Sequence, residues 1–199
     1  MGRPAKFDRD AAVKIAMNEM WTNGFELVSV QSLSEKLGIT RSSFYNAFVS
    51  REALIDEALD LYFSRTADGI WVGFKEGAPV LPMLAGMVRK LCKDRATDVL
   101  GRGCMAVNGL TETNPNHAAA TKKIIATLEA RFARLDLLLT KAVENGELKD
   151  DGCLRDKALA LQSLLLGLNM MAKLERSEDE LWRAAKTVLC SLKVYEPEP

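Results

Sequence analysis

The sequence predicts an all-α protein of about nine helices, and three observations carry this prediction. Apolar residues recur at spacings of three and four along nearly the whole chain, which is the period of one helix face. Runs that alternate with period two, as strands do, stay short. The chain has 199 residues, of which 48% are hydrophobic, so it can bury a sizeable core without disulfides or metal. We therefore expect a helical protein held together by side-chain packing.

Four short helices are expected in the first third of the chain. Each begins after a residue whose side-chain oxygen can accept a hydrogen bond from a free amide at a helix N-terminus, namely Asp8, Ser29, Thr40 and Ser50. Gly24 and Gly38 stand where the first two helices should end, because glycine readily adopts the left-handed backbone that follows many helices. The fourth helix should run from residue 51 to about 68.

Glycine and proline then interrupt the helical pattern and mark a joint at Gly69, Gly73, Gly77 and Pro79. Beyond it, helices are expected over about 80–98 and 104–110, from Asn114-Pro115 to Asn145-Gly146, over 154–173, and after Ser177. In the longest of these, one stripe should face a core: Ile125, Leu128, Phe132, Leu135 and Leu139. We expect a first domain of residues 1–50, with an arm of residues 1–7, and a second of residues 51–199. The helix that begins at residue 51 connects them.

Charge, cysteine usage and histidine usage exclude several classes of protein. Lysine plus arginine and aspartate plus glutamate both number 27, so the overall charge gives no argument for binding nucleic acid or an anionic membrane. The single histidine, His117, and four cysteines without a C-x-x-C pair form no metal-ligand set and no evident cysteine–histidine pair. We expect no enzyme activity, no cofactor and no metal. No signal peptide or membrane-spanning run stands out, so we expect a cytoplasmic protein.

The second and third helices are the most informative part of the sequence. The tight turn Leu37-Gly38-Ile39-Thr40 joins them, and this arrangement is typical of a helix-turn-helix. The exposed face of the third helix should carry groups that suit a DNA groove: Arg41, Ser42, Ser43, Tyr45 and Asn46. From spacing alone, an ordinary pair of helices with a solvated polar face is an equal alternative.

The stretch from Phe7 to Leu61 resembles the DNA-binding domain of TetR-family transcriptional regulators. The resemblance rests on Asn23-Gly24-Phe25, Ser29-Val30, Leu33-Ser34-Glu35, Leu37-Gly38-Ile39, the run from Arg41 to Phe48, and Ser50-Arg51-Glu52-Ala53-Leu54. It covers about a quarter of the chain. The family more often has lysine at the position of Arg51, and arginine keeps the positive charge.

The resemblance implies a homodimer that binds a pseudo-palindromic operator in double-stranded DNA, with a variable helical ligand-binding and dimerisation domain behind. By position, the residues expected against base edges are Thr40, Arg41, Ser42 and Ser43. Those expected at phosphates are Ser29, Tyr45 and Arg51. The arm that contains Arg3 and Lys6 would reach the minor groove or the neighbouring backbone, and a disordered tail is the alternative.

The second region contains methionine and aromatic residues that would make an adaptable apolar lining for a ligand pocket. The candidates are Trp71, Phe74, Met83, Met87, Cys104, Met105, Asn108, Phe132, Met170 and Lys173. For each apolar residue taken singly, a plain position in the core is the alternative. The expected ligand is a small apolar or electrophilic inducer.

The last two helices carry more apolar surface than one side of each can bury, so two copies are expected to pair them in a four-helix bundle. The candidates for this dimer interface are Leu161, Leu164, Leu165, Leu168, Leu181, Trp182, Ala185 and Leu189. The alternative is that all of them pack within one chain.

Cys104 should lie at the N-terminus of a short helix beside Arg102, and both features lower the pKa of a thiol. The segment from Gly103 to Asn108 resembles a TetR subgroup in which some members use this cysteine to sense electrophiles or oxidants, with a lysine from the penultimate helix nearby. Lys173 stands in a similar sequence context. A buried structural cysteine is the alternative.

These features predict a dimeric transcriptional regulator, a repressor that a small molecule or a thiol modification releases from DNA. The alternative is an all-helical ligand-binding or interaction module without sequence-specific DNA binding, which the near-neutral charge of the first domain favours.

Overall fold

The structure, a computed structural model, describes residues 7–65, 78–112 and 118–196, and these ranges contain nine helices and no strand. The predicted all-α class is confirmed. Of the predicted site residues, Arg3, Lys6, Trp71 and Phe74 lie outside the described ranges, as do His117 and the predicted start at Asn114-Pro115. The helices are α1 (Arg9–Asn23), α2 (Val30–Leu37), α3 (Arg41–Phe48), α4 (Arg51–Arg65), α5 (Val80–Ala96), α6 (Met105–Leu110), α7 (Ala118–Glu144), α8 (Leu154–Met171) and α9 (Glu178–Ser191).

The first four helices begin where the sequence predicted, and for the predicted reason. In each case the side-chain oxygen of the capping residue accepts a hydrogen bond from the backbone N–H three residues further on, at 3.0 to 3.1 Å. The capping residues are Asp8, Ser29, Thr40 and Ser50. These bonds satisfy amides that have no partner inside their own helix.

Helix α9 begins after Ser177, as the sequence predicted, whereas α5 begins in a way that its own sequence does not reveal. Ser177 accepts the N–H of Glu180 at 3.3 Å, but the N–H of Ser177 donates to Glu175 instead of completing a reciprocal box with Glu180. Helix α5 has no side-chain cap of its own at Pro79. The carboxylate of Glu147, from the turn after α7, accepts the first two amides of α5 at 2.9 Å each.

The buried side chains form two cores rather than one. The first core joins α1, α2, α3 and α4 to α6 and the first half of α7, where Ala120, Ile124 and Leu128 are buried. The second core joins α5, α8 and α9 to the later part of α7, where Leu135, Leu139 and Ala142 are buried. Helix α7 therefore runs through both cores and connects them.

The predicted buried stripe of α7 is wrong at its first residue. Ile125 is 43% exposed, whereas its neighbour Ile124 is 1% exposed and packs against the first core. Ile124 lies one helix turn before Leu128, at the spacing of four that keeps residues on one face. The remaining residues lie in or against the cores: Leu128, Phe132, Leu135 and Leu139.

Candidate DNA-binding and effector sites

Helices α2 and α3 meet at a tight turn that depends on Gly38. This residue adopts the left-handed conformation, with φ 65° and ψ 31°, which costs a glycine little. The N–H of Gly38 donates to the carbonyl of Glu35 at 3.1 Å, and the N–H of Ile39 donates to the carbonyl of Ser34 at 3.0 Å. Helix α2 therefore ends at Leu37 and α3 begins at Arg41, as a helix-turn-helix requires.

Helix α3 has one buried face and one free face. Phe44 and Phe48 are 0% and 1% exposed and anchor the helix in the first core. The polar residues that the sequence predicted for the DNA-facing side are all exposed: Thr40, Arg41, Ser42, Ser43, Tyr45 and Asn46. Their exposure agrees with the prediction, and their individual DNA contacts stay predictions.

The two remaining phosphate candidates differ from each other. Ser29 is exposed at the N-terminus of α2, with its hydroxyl already accepting the N–H of Ser32. The guanidinium of Arg51 points inward and donates to the carbonyls of Phe25 and Val28, which hold the loop before α2. A phosphate contact by Arg51 has to compete with these two carbonyls.

A groove of about 860 Å³, which no feature of the sequence had indicated, borders the predicted DNA-facing surface. It lies between the start of α1 and the α2–α3 turn, with Phe7, Ile15 and Ile39 among its apolar lining. Thr40, Ser43 and Asn46 form part of its lining as well. The groove therefore lies beside the DNA face and away from the predicted ligand pocket.

The predicted pocket residues that the structure describes are not brought together around one site. Cys104 and Met105 are buried in the first core, whereas Met87 is buried in the second core and Met83 packs against it. Phe132 also packs against the second core, beneath the guanidinium of Arg155 at 3.8 Å from the ring centre.

Two further candidates are on the outside of the molecule. Met170 is 43% exposed on the outer face of α8, and its place in the lining of a ligand pocket stays a prediction. Lys173 is exposed, but its stem packs against Gly103, one residue from Cys104. Asn108 is half-buried, and its side-chain oxygen is a buried acceptor without a hydrogen bond among the described residues.

Cys104 is the N-terminal capping residue of α6 and is 3% exposed. The hydroxyl of Tyr62, on α4, donates to its sulfur at 3.2 Å and accepts the N–H of Met105 at 3.1 Å. Burial raises the pKa of the Tyr62 hydroxyl well above its usual range, and the neighbouring thiol adds to this, so the phenol stays a neutral donor. Cys104 is thus held between α4 and α6.

The guanidinium of Arg102, which was expected to lie beside the thiol of Cys104, is held by other side chains. It pairs with the carboxylate of Asp98 at 2.8 Å and stacks on the ring of Trp21 at 3.7 Å. The positive charge is used to join the α5–α6 loop to α1.

A buried polar pair that was not predicted from the sequence, Arg95 and Asn169, lies near this site. Both residues are less than 10% exposed, and the Nε of Arg95 donates to the side-chain oxygen of Asn169 at 2.6 Å. Arg95 stands four residues after Leu91 and three after Cys92, both of which are buried. An arginine in phase with the buried face of α5 was the signal that pointed to it.

Hydrogen bonds at both ends of α6 connect its flanks to the DNA-reading head, by which we mean α1 to α3. The indole N–H of Trp21 donates to the carbonyl of Gly103 at 3.2 Å, just before α6. Just after α6, the carboxylate of Glu112 accepts the N–H groups of Phe25 and Glu26 at 2.8 and 3.1 Å. Both ends of this short helix are therefore attached to the segment that leads into α2.

The predicted dimer-interface residues are mostly inside the chain. Five are at most 3% exposed and lie in the second core, so they have no surface to offer a partner: Leu161, Leu168, Leu181, Ala185 and Leu189. Leu164, Leu165 and Trp182 are half-buried against the same core. A different set of residues forms the outer stripe of α8: Leu159, Ser163, Gly167 and Met170, with Leu174 following the helix.

Two classes of site find no support in the described ranges. No helix there is both long and apolar enough to cross a membrane. No group of three or more histidine, cysteine or acidic side chains there could hold a metal ion.

Comparison with family models gives two matches. Residues 13–58 match the model described as bacterial regulatory proteins, tetR family. Residues 80–188 match the model described as tetracyclin repressor-like, C-terminal domain. The two matches cover the DNA-reading head and most of the helices behind it.

Comparison with known proteins finds relatives of similar length. The chain is 28% identical over 193 residues to the HTH-type transcriptional repressor ComR of Escherichia coli K12, covering 94% of this chain and 90% of that protein. It is 27% identical over 114 residues to the repressor BdcR of the same organism, covering 57% and 58%. A cysteine mutant of the TetR-family regulator CifR, solved with a 26-base-pair operator duplex, has a TM-score of 0.82 and 28% identity, covering 96% and 99%.

Proposed function

The chain belongs to the TetR family of bacterial regulatory proteins and is a DNA-binding transcriptional regulator, and on that premise we propose how it works. We propose a cytoplasmic homodimeric repressor that acts by binding and not by catalysis. It holds an operator through two copies of α3 and releases it when an effector disturbs the start of α6. The two-ended attachment of α6 to the DNA-reading head is the observation that carries this proposal.

On the DNA side, the free face of α3 would read the operator. The guanidinium of Arg41 would donate two hydrogen bonds to a guanine. Bases or phosphates would be contacted by the hydroxyls of Thr40, Ser42 and Ser43 and by the amide of Asn46. Tyr45, at 50% exposure, would contact a phosphate and so fix the register of the helix. Residues 1–6, with Arg3 and Lys6, would contact the neighbouring groove or backbone.

A homodimer would present two such helices at a fixed spacing. We assign the interface to the outer stripe of α8 instead of the buried leucines. Leu159 is 49% and Met170 is 43% exposed, and an added Cβ at Gly167 would meet nothing within 4 Å in the chain. A glycine in mid-helix weakens the helix, so its presence at position 167 needs an explanation. Close approach of a second copy would explain it, because glycine has no side chain to keep two helices apart.

The effector signal would pass through α6. A molecule that displaces Tyr62 from Cys104 and Met105 would shift α6 against α4. Because Gly103 and Glu112 hold the chain around Phe25, that shift would move the loop that starts α2. Release from the operator needs only a small change in the distance between the two DNA-reading heads of the dimer, provided that the effector binds the shifted form more tightly.

The inducer can be a binding molecule or one that modifies the thiol. Cys104 is buried and Arg102 is committed elsewhere, which favours a structural thiol in the DNA-bound form. A reagent that reaches Cys104 would add bulk between α4 and α6, and this would have the same effect as a bound ligand. Ligand binding and thiol modification would therefore both act by disrupting the contact between Tyr62 and Cys104.

The proposal is tested by fluorescence anisotropy on labelled DNA from the region upstream of the chain's own gene. We expect a tight, salt-dependent complex on one symmetric segment and weaker binding elsewhere. Equal affinity for all sequences would contradict the proposal and favour an interaction module.

Coupling is tested with Glu112→Gln. An amide oxygen still accepts the N–H of Phe25, but it lacks the carboxylate's charge, so the link between α6 and the head should weaken. We expect operator affinity to fall by about tenfold, since a charge-assisted bond contributes roughly 1.5 kcal/mol or more. Glu129→Gln, an exposed glutamate on α7, makes the same charge change and should bind like the native chain.

A further inference from the structure

A buried positive charge on α5 has no ion-paired acid in the part of the chain that the structure describes. Arg95 is 8% exposed, and the bond from its Nε to the side-chain oxygen of Asn169 is the one hydrogen bond of its side chain among the described residues. No carboxylate in the described ranges lies within ion-pair distance of it. A guanidinium has five N–H donors, so most of its donor capacity is unused.

The two acids nearest in sequence are already occupied. Asp94, directly before Arg95, pairs with Lys90 at 2.5 Å. Asp98 follows Arg95 by three residues, but both of its carboxylate oxygens accept hydrogen bonds from Arg102. Asn169 is neutral and donates its own amide to the carbonyl of Leu165. The charge of Arg95 helps to lower the pKa of Asp98, but the guanidinium forms no ion pair with any side chain in the described ranges. Buried charges in proteins are ordinarily paired.

Arg95 lies at the same corner of the fold as Cys104. The carbonyl oxygen of Asn169 is 2.7 Å from the point where a Cβ on Gly103 would stand. Arg95 is also close enough to Tyr62 for its charge to act on the hydroxyl, and that hydroxyl donates to Cys104. One buried polar corner therefore contains a cation, an amide, a phenol and a thiol.

The other two cationic side chains near this corner are poorly placed to bind an anionic group there. Arg102 is committed to Asp98 and Trp21, and Lys173 is exposed with its stem across Gly103. A planar guanidinium matches a carboxylate through two parallel hydrogen bonds, and burial strengthens such a pair.

We propose that Arg95 is the anchor for an anionic group, a carboxylate or a group of similar charge and size, on the effector that acts at the start of α6. This inference rests on the proposed effector role of that corner. It narrows the effector from any apolar small molecule to one with an acidic head and an apolar body. The acid would bind Arg95, and the body would lie against Tyr62 and Cys104.

The test uses two reagents that differ mainly in charge, iodoacetate and iodoacetamide. Each forms a sulfur–carbon bond with a cysteine and releases iodide, while the thiol proton goes to solvent. Alkylation rates at each cysteine of the folded chain are measured by mass spectrometry, and Cys153, which is exposed, is the internal reference. We expect the iodoacetate-to-iodoacetamide rate ratio at Cys104 to exceed that at Cys153 by about tenfold.

Three variants identify the charge responsible. Arg95→Met should lower the ratio at Cys104 to that of Cys153, and Arg95→Lys should keep most of the preference. Lys93→Met removes an equal charge from an exposed position on the same helix and should change nothing. Melting curves of each variant establish that it is folded before it is labelled.

An equal ratio at Cys104 and Cys153 in the native chain, or a ratio that Arg95→Met leaves unchanged, would overturn the inference. A Cys104 that reacts with neither reagent before unfolding would overturn it as well, together with the effector role of this corner. Operator binding of the same samples is measured in parallel. If the proposed repressor function is itself wrong, the unlabelled chain will show no preference for the operator sequence in this binding measurement.

Discussion

Val49 has a backbone conformation that is costly for its residue type. With φ 62° and ψ −50°, and with the N–H of Ser50 donating to the carbonyl of Phe48 at 2.6 Å, it forms the strained, positive-φ kind of γ-turn. The side chain is 82% exposed, so no packing compensates for the strain. The turn brings Ser50 into position to cap α4, directly after α3 has ended.

Val49→Gly should therefore stabilise the chain. Relief of strain of about 1–3 kcal/mol outweighs the added flexibility of glycine in the unfolded chain, roughly 1 kcal/mol, so a net gain of about 1 kcal/mol is expected. Thermal melting should show a rise of about 2–4 °C. Val49→Ala keeps the strain and should show no such rise. A glycine variant that melts below the alanine variant would contradict this reading of the turn.

Tyr45 is the residue whose proposed role is easiest to isolate, because half of its surface is free and it packs on Phe44 only by an edge contact. Tyr45→Phe removes the hydroxyl and keeps the ring. Affinity for operator and for unrelated DNA should fall together, by about fivefold, since phosphate contacts carry no sequence information. Anisotropy titrations on both duplexes measure this. Loss of affinity for the operator alone would assign Tyr45 to base reading.

At the scale of elements, α5 depends on a carboxylate from another part of the chain. Burial alone would raise the pKa of Glu147, but the amides of Val80 and Leu81 and the side chain of Asn145 outweigh it, so the pKa is lowered. A carboxylate with a lowered pKa contributes stability above its unfolded pKa of about 4.3. That contribution is lost as the pH falls through the lower, folded pKa.

Glu147→Gln should destabilise the chain by about 1 kcal/mol at pH 7, the usual contribution of a charged cap at a helix N-terminus. The difference from the native chain should shrink below about pH 4, because the native carboxyl is then losing its charge. Urea unfolding at a series of pH values measures both effects. Glu144→Gln, whose ion pair with Lys141 lies on the surface, should change stability by less than about 0.5 kcal/mol.

Elements whose signals are local could be predicted from the sequence, and those that depend on distant partners could not. The caps at Asp8, Ser29 and Thr40 need only the next three residues, so α1, α2 and α3 begin as predicted. The cap of α5 comes from Glu147, which is far away in the sequence.

The candidate sites follow the same division. The DNA-facing side of α3 could be predicted because Phe44 and Phe48 set its buried face within eight residues. The surroundings of Cys104 could not, because Tyr62, Arg95 and Asn169 reach it from three other helices. The inner face of α8 was mistaken for its outer face because leucines occur all round that helix.

At the scale of the whole molecule, we propose that the outer stripe of α8 pairs with a second copy. Leu159→Asp should abolish the proposed dimer, because a charge inside an apolar interface is costly. Light scattering at micromolar concentration should then give the mass of one chain, and operator affinity should fall because one head holds one half-site. Leu27→Asp, which changes an exposed leucine in the DNA-reading head, should remain dimeric. A dimer that survives Leu159→Asp would move the interface away from this stripe.

The first core includes α6 and the beginning of α7, and this has a consequence for how new regulators arise. A graft of residues 1–50 onto a foreign partner would leave Phe25 without Gly109, whose backbone it packs against, and Trp21 without the carbonyl of Gly103. A working hybrid would have to inherit α6 and the first turns of α7 together with the head. If α6 carries the effector response as proposed, operator recognition and effector response should be inherited together. We therefore expect new combinations of operator and effector to arise by substitutions within one lineage more readily than by the shuffling of gene segments.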